Sequence, residues 1–167
     1  TYFLMKQAYD DNGKPLDGQY VAPDGEIVTS VSDKNKYVTD KSPHMPYFYG
    51  LSTRLSYKNW DLGANAHGGF GNYVYNYQAA RDSYDRLFSA DGNTSGNIMR
   101  STLKTGFTDA RKFSDYFLEK GNFFKIDNIT LGYSFPRLWD NKASLRLAFN
   151  VQNVALISGY SGIDPEI

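Results

Sequence analysis

Few side chains in this sequence are of types that do chemistry, and their spacing is unhelpful to it. His44 and His67 lie in separate segments and the chain has no cysteine, so no ligand set of the kind that holds zinc can be assembled from sequence. Asp10-Asp11-Asn12-Gly13 has the composition of a calcium loop without the EF-hand ligand spacing, and it predicts an Asx-type turn. Asp82 and Asp85 stand beside Arg81 and Arg86 in a polar stretch, which reads as a solvated charge cluster instead of a general acid and base. No Ser/His/Asp arrangement, phosphate-binding glycine loop or metal motif is present, so the expectation is no enzyme activity, no cofactor and no metal. What remains is aromatic. Tyr73, Tyr75, Tyr77 and Tyr84 fall in one long intervening stretch, where rings stack on a ligand, meet a partner protein or simply pack the loop.

The elements that would position these rings are read from periodicity. Tyr47, Tyr49, Leu51, Thr53, Leu55 and Tyr57 share one parity, opposite Phe48, Gly50, Ser52, Arg54 and Ser56. That is the period of a strand with one largely apolar face. Lys58-Asn59 is a short turn, and Trp60, Leu62, Ala64, Ala66, Gly68 and Phe70 then alternate with Asp61, Gly63, Asn65, His67 and Gly69 to complete a hairpin. Each strand is close to the ~9–11 residues that a tilted strand needs to cross a bilayer. A second hairpin is predicted from Ile129, Leu131, Tyr133 and Phe135, ended by Pro136, then a connection from Arg137 to Lys142, then Ala143, Leu145, Leu147, Phe149 and Val151. Phe124 and Ile126 have the opposite parity to Ile129, so a bulge, or an extension beyond the membrane, is expected between Ile126 and Ile129. Gly71 to Gly121 is too long for an ordinary connection. Within it, weak helical spacing runs from Gln78 to Phe88 and turn chemistry from Ala90 to Asn97. Tyr2 to Tyr9 is a possible strand, and no domain boundary or internal repeat beyond the hairpins is visible.

Composition agrees with a surface that is apolar on one side and wet on the other. Aromatics make up 16% of the 167 residues, with 14 Tyr and 11 Phe, yet mean hydropathy is -0.54. Eighteen Lys+Arg balance 18 Asp+Glu, which removes the electrostatic case for nucleic acid as a partner. No apolar run is long enough for a transmembrane helix, and the first residues lack a signal-peptide pattern. On this reading Tyr57, Trp60, Tyr133 and Phe135 are interfacial aromatics, and Arg54, Asn65, His67 and Arg146 face a polar lumen.

Several motifs in order resemble the SusC-like, TonB-dependent outer-membrane transporters. Phe123-Phe124-Lys125-Ile126-Asp127-Asn128-Ile129-Thr130-Leu131-Gly132-Tyr133-Ser134-Phe135-Pro136 resembles the family's penultimate-hairpin signature. Asn150-Val151-Gln152-Asn153 and Tyr160-Ser161-Gly162-Ile163-Asp164-Pro165-Glu166 resemble its strand end and following loop, and Tyr57 to Leu62 and Gly71 to Asn76 its earlier turn and loop motifs. Tyr20-Val21-Ala22-Pro23-Asp24-Gly25-Glu26 departs from the Asp/Asn-rich run that relatives carry there. The resemblance implies an all-β fold: residues 1–167 as the C-terminal part of a transmembrane antiparallel β-barrel of about 22 strands with long extracellular loops. The plug domain, most of the barrel and the final strand would lie outside the chain. It implies the outer membrane of a Gram-negative, Bacteroidetes-type bacterium, and import of an oligosaccharide or peptide. The partners implied are a SusD-like surface lipoprotein, outer-membrane lipid, and TonB acting through the missing N-terminal region. The extracellular rim would place Tyr73, Tyr75, Tyr77, Tyr160 and Asp164 toward substrate or lid. The competing reading is a soluble carbohydrate-binding β-sandwich, which would bury the apolar parity against a second sheet.

Overall fold

The structure, a computed structural model, describes residues 1–82, 100–111, 113–138 and 142–166. In chain order the strands are β1 (Phe3–Leu4), β2 (Lys6–Tyr9), β3 (Pro15–Val21), β4 (Ile27–Val28), β5 (Tyr37–Val38), β6 (Tyr47–Tyr57), β7 (Trp60–Phe70) and β8 (Tyr73–Tyr75). Short helices α1 (Tyr77–Asp82) and α2 (Thr102–Thr105) follow, then β9 (Leu118–Lys120), β10 (Phe123–Leu138) and β11 (Ala143–Ser158). These elements form two compact units: Met45–Gly71 with Gly121–Gly159, and Thr1–His44 with Asn72–Lys120 and Tyr160–Ile167. The sequence displays no boundary because both units are assembled from separated stretches of chain.

The first unit is one antiparallel sheet in the order β6-β7-β10-β11. Its hairpin turns at Lys58, whose φ of 54° gives the left-handed geometry a tight strand reversal needs. The register aligns apolar residues in rows: Thr53, Ala64, Ile129 and Val151, then Leu55, Leu62, Leu131 and Phe149, then Tyr57, Trp60, Tyr133 and Leu147. The expected bulge is present and explains the slip of phase. Between Ile126 and Asn128, β7 steps only from Ala66 to Asn65, whereas β11 steps from Ala155 to Gln152. Asp127 is therefore extra in β10, and Asn153 sits in the left-handed region at φ 51°, which asparagine tolerates better than most residues. As a result Leu51, Ala66, Ile126 and Ala155 continue the same apolar face beyond the bulge.

Two strand ends differ from the sequence reading. Pro136 does not stop its strand, which runs to Leu138, because a register shift between Phe135 and Leu138 places the proline where no ladder bond is required. Asn153 is not a strand end: β11 continues to Ser158, since the bulge accommodates the asparagine within the ladder. The connection predicted from Arg137 therefore begins later, and Asn141 within it lies outside the described residues.

The second unit is built from short strands: a β2-β3-β4 sheet and the pairs β1-β5 and β8-β9. The possible strand from Tyr2 to Tyr9 is split, because Met5 leaves the ladder to form a parallel bridge with Ser114. Asp10 makes the expected Asx-type turn, accepting from the amides of Asn12 at 2.9 Å and Lys14 at 2.8 Å. Apolar packing gathers Ala79, Ala80, Phe107 and Phe117, with Tyr75 and Tyr116 against them. Beside it a polar network is buried. Gln7 donates to the Leu16 carbonyl at 2.7 Å and accepts from Ser114 Oγ at 2.8 Å, and Asp115 accepts from the Gln7 amide and the Tyr37 hydroxyl, both at 2.8 Å. Burial, reinforced by the neighbouring Asp115 charge, pushes the Tyr37 hydroxyl well above its ordinary range and keeps it a donor.

Asp17 ties β3 to the returning limb of the long stretch, accepting from Thr108 Oγ1 at 2.5 Å and Arg111 Nε at 2.8 Å. Partial burial opposes its ionisation, but the Thr108 and Arg111 hydrogen bonds and the Arg111 charge outweigh it and hold the carboxyl below the usual range. A carboxyl depressed in the folded state stabilises it above its unfolded value near ~3.9, and that contribution fades as pH falls through the folded value. Protease resistance of this unit should thus decline below about pH 4, and Asp17→Asn should lower resistance at pH 7 while flattening the acid dependence.

Candidate functional site

Three surfaces follow from this architecture. The first is the apolar face of the four-stranded sheet, on which Leu55, Leu147 and Phe149 are 61%, 57% and 71% exposed. Within its own unit the sheet is a single layer of four strands. Aromatic groups border it at both ends. Trp60 meets Tyr133 edge-on at 4.7 Å and Tyr133 meets Phe135 at 4.6 Å, while at the other end Tyr47 stacks on Phe70 at 4.9 Å and Tyr49 parallels Phe124 at 6.3 Å. An 11-residue strand such as β6 is about 35 Å long. Tilted by ~40°, it sets these belts roughly 25 Å apart, the height of a barrel's apolar band.

The opposite face is polar and cross-linked between strands. Ser52 donates to Asn65 at 2.6 Å, Asn65 to Asn128 at 3.1 Å, and Thr130 to Asn150 at 3.1 Å. His67 Nδ1 lies 2.8 Å from Asp127 Oδ2, so the bulged residue is aimed at the histidine. Arg146 reaches across β10 to grip Asp61 with Nε at 3.0 Å and Nη2 at 2.6 Å. Gly132 makes this possible: a Cβ there would stand 2.5 Å from Asp61 Oδ1 and 2.6 Å from Arg146 Nη2. All four residues expected on the polar side, Arg54, Asn65, His67 and Arg146, occupy this parity.

The third surface is a notch of about 270 Å³ in the second unit, whose lining includes Tyr75, Asn76, Tyr77, Tyr160, Ile163 and Asp164. Four of the five rim candidates meet there, and Tyr73 does not. Tyr73 instead serves β8, with its amide on the Ser42 carbonyl at 2.8 Å, its carbonyl accepting from the Tyr2 hydroxyl at 2.7 Å, and Lys41 over its ring at 5.1 Å. Tyr75 is half-buried against the core, and burial above all raises its hydroxyl pKa. Tyr77, 54% exposed, and Tyr160 are the rings most open to a ligand. Asp164 accepts from the Glu166 amide at 2.9 Å, the turn-shaping bond expected of it. Arg81 pairs with Asp82 through two bonds at 2.9 and 2.8 Å, while Tyr84, Asp85 and Arg86 lie outside the described residues.

Sequence reasoning missed the groups that build this notch. Asn76 caps α1 by accepting from the Ala79 amide at 3.0 Å, and its side-chain amide donates to Glu119 at 3.1 Å. Glu119 in turn accepts from the Ser161 amide at 2.7 Å and hydroxyl at 2.6 Å, which fixes the Tyr160–Asp164 turn. An asparagine directly before helical spacing was the available signal for the cap. Nothing local pointed to Glu119, whose partners are far away in sequence.

No family model matches the chain. It is 34% identical over 175 aligned residues to the TonB-dependent receptor SusC of Bacteroides thetaiotaomicron, an alignment covering 100% of this chain and 17% of the relative. The chain thus spans about a sixth of that protein's length. The RagAB peptide importer matches with a TM-score of 0.72 in its open-open state, at 21% identity over 99% of this chain and 20% of that one. Its closed-closed state gives 0.69 at 20% identity. The fold is therefore part of a TonB-dependent β-barrel, with sheets that are not closed within this chain. More particularly, the chain belongs to the SusC-like TonB-dependent transporters.

Proposed function

We propose that this chain forms wall and outer rim of a TonB-dependent transporter that imports nutrients across the outer membrane, and has no enzymatic role. The observation carrying this reading is the single-layered sheet with a continuous apolar face between two aromatic belts and a hydrogen-bonded polar face behind it. Lipid covers the first face and the lumen wets the second. The short turn at Asn59 lies in the periplasm, and the unit containing the Tyr75–Asp164 notch lies outside, because barrels of this kind keep short turns inside and long segments outside. Energy enters through TonB at parts of the longer protein beyond this segment, a plug domain among them, and a SusD-like lipoprotein closes over the rim.

The cargo is an oligosaccharide or peptide that meets the notch. SusC and the RagAB peptide importer are the relatives from which this part of the reading is carried over. Tyr77 and Tyr160 supply the rings and Asp164 a carboxylate, a combination suited to a polar ligand with one flat face. Replacing Tyr77 or Tyr160 with Ala in the full-length protein should weaken capture about tenfold, the loss of one stacking contact at ~1–2 kcal/mol, without lowering the amount assembled. Tyr75→Ala is not equivalent, since it also opens the core. Unchanged capture, uptake and lipoprotein co-purification in both variants would remove the notch from the transport path. Topology has its own check: in intact cells an impermeant maleimide should label Asn12→Cys and leave Asn59→Cys unlabelled until the membrane is permeabilised, and the reverse pattern would invert the assignment.

A further inference from the structure

Midway along the sheet's polar face, Arg54, Asp61, Arg146, Ser52, Asn65 and Thr130 line one cup of about 320 Å³. Its charges do not balance: two guanidinium groups face one carboxylate. Arg146 occupies both oxygens of that carboxylate in a two-point bond. Both oxygens of Asp61 are held by Arg146, and the Arg54 charge also acts on this carboxylate but without a hydrogen bond to it. Among the described residues no carboxylate is hydrogen-bonded to Arg54, and the rest of the lining is uncharged.

We propose that this cup is a carboxylate-binding site, with Arg54 as its cation. A guanidinium presents paired N–H donors that match the two oxygens of a carboxylate, and Ser52, Asn65 and Thr130 offer neutral polar groups around them. The Arg146–Asp61 pair is the positioning element: it fills the wall beside Arg54 and takes both oxygens of the carboxylate in the lining, so that the Arg54 N–H donors have no carboxylate hydrogen bond among the described residues. The carboxylate is borne either by a side chain from elsewhere in the longer protein or by a dissolved acid in the lumen. This site rests on the reading of the polar face as lumen.

The test uses the full-length transporter with cysteines outside this segment replaced, since the segment itself contains none. Ser52→Cys puts a thiol in the cup, and its reaction rates with a sulfonate-bearing and a trimethylammonium-bearing methanethiosulfonate are compared. With a dissolved carboxylate as ligand, the anionic reagent reacts about tenfold faster, succinate slows it, and Arg54→Gln abolishes the preference. With a protein-borne carboxylate, both reagents react slowly, and Arg54→Gln accelerates the cationic one selectively because a bare carboxylate is left behind. Rates that do not depend on reagent charge, or that Arg54→Gln leaves unaltered, overturn the proposal and leave only a hydrated arginine. Leu51→Cys on the other face tests the lumen reading separately: it should resist both charged reagents, and ready reaction there would refute the membrane assignment without touching the cup.

Discussion

Leu131→Arg is expected to block assembly of the barrel, whereas Ser56→Arg is expected to leave it nearly intact. Leu131 lies in the middle row of the apolar face, between Leu62 and Phe149, and is 43% exposed with no protein layer over it. A guanidinium there meets hydrocarbon near the midplane, at a cost of about 2–4 kcal/mol. Snorkelling to the headgroups would require the side chain to pass the aromatic belts. Ser56 is one parity away, opposite Asp61, so an added arginine there enters the wet face beside a carboxylate. Heat-modifiable migration of the assembled protein and its yield in the outer membrane measure the contrast. Equal tolerance at the two positions would mean that the faces have been assigned to the wrong surroundings.

Phe107→Ala should be the most damaging single truncation in the rim unit. Its ring is 0% exposed and meets Tyr116 edge-on at 5.6 Å and Phe117 at 6.2 Å. Removing it deletes the centre of the small apolar cluster and leaves a cavity, at about 3–5 kcal/mol. For a unit held by strands of two to seven residues, that loss is a large share of its stability. The unit should become protease-sensitive while the four-stranded sheet still assembles, and ligand capture should disappear with it, since Tyr75 joins the cluster to the notch. Retained capture with a protease-sensitive rim would detach the notch from binding.

The sheet was legible in the sequence to a degree that the rim unit was not, for physical reasons. A sheet with lipid on one side and water on the other must alternate residue by residue, so β6 and β7 could be bounded to the residue from parity and one turn. The bulge at Asp127 was visible as a broken parity, but its purpose was not: the extra residue restores the apolar face and delivers a carboxylate to His67. Pro136 misled as a strand breaker by rule and Asn153 as a strand end by resemblance, and both are accommodated by register shifts that only the pairing reveals. The rim unit follows no period. Its strands are short, its pairs join distant residues such as Leu4 with Tyr37 and Tyr75 with Leu118, and its core includes Gln7 and Ser114, polar residues that no hydropathy pattern would place inside. Likewise the Asp61–Arg146 pair is hidden in sequence, since the residues sit two strands apart and meet only because Gly132 has no side chain.

Whether the β6-β7-β10-β11 sheet separates lipid from water can be read residue by residue from a nitroxide scan along β11. Spin labels placed singly at 145–151 in the full-length protein in bilayers would be read for collision with oxygen, which concentrates in hydrocarbon, and with a water-soluble nickel chelate. A sheet between lipid and water gives oxygen maxima at Leu145, Leu147, Phe149 and Val151 and nickel maxima at Arg146, Ala148 and Asn150, out of phase with period two. Nickel accessibility in phase at both parities, or oxygen accessibility low throughout, would contradict it.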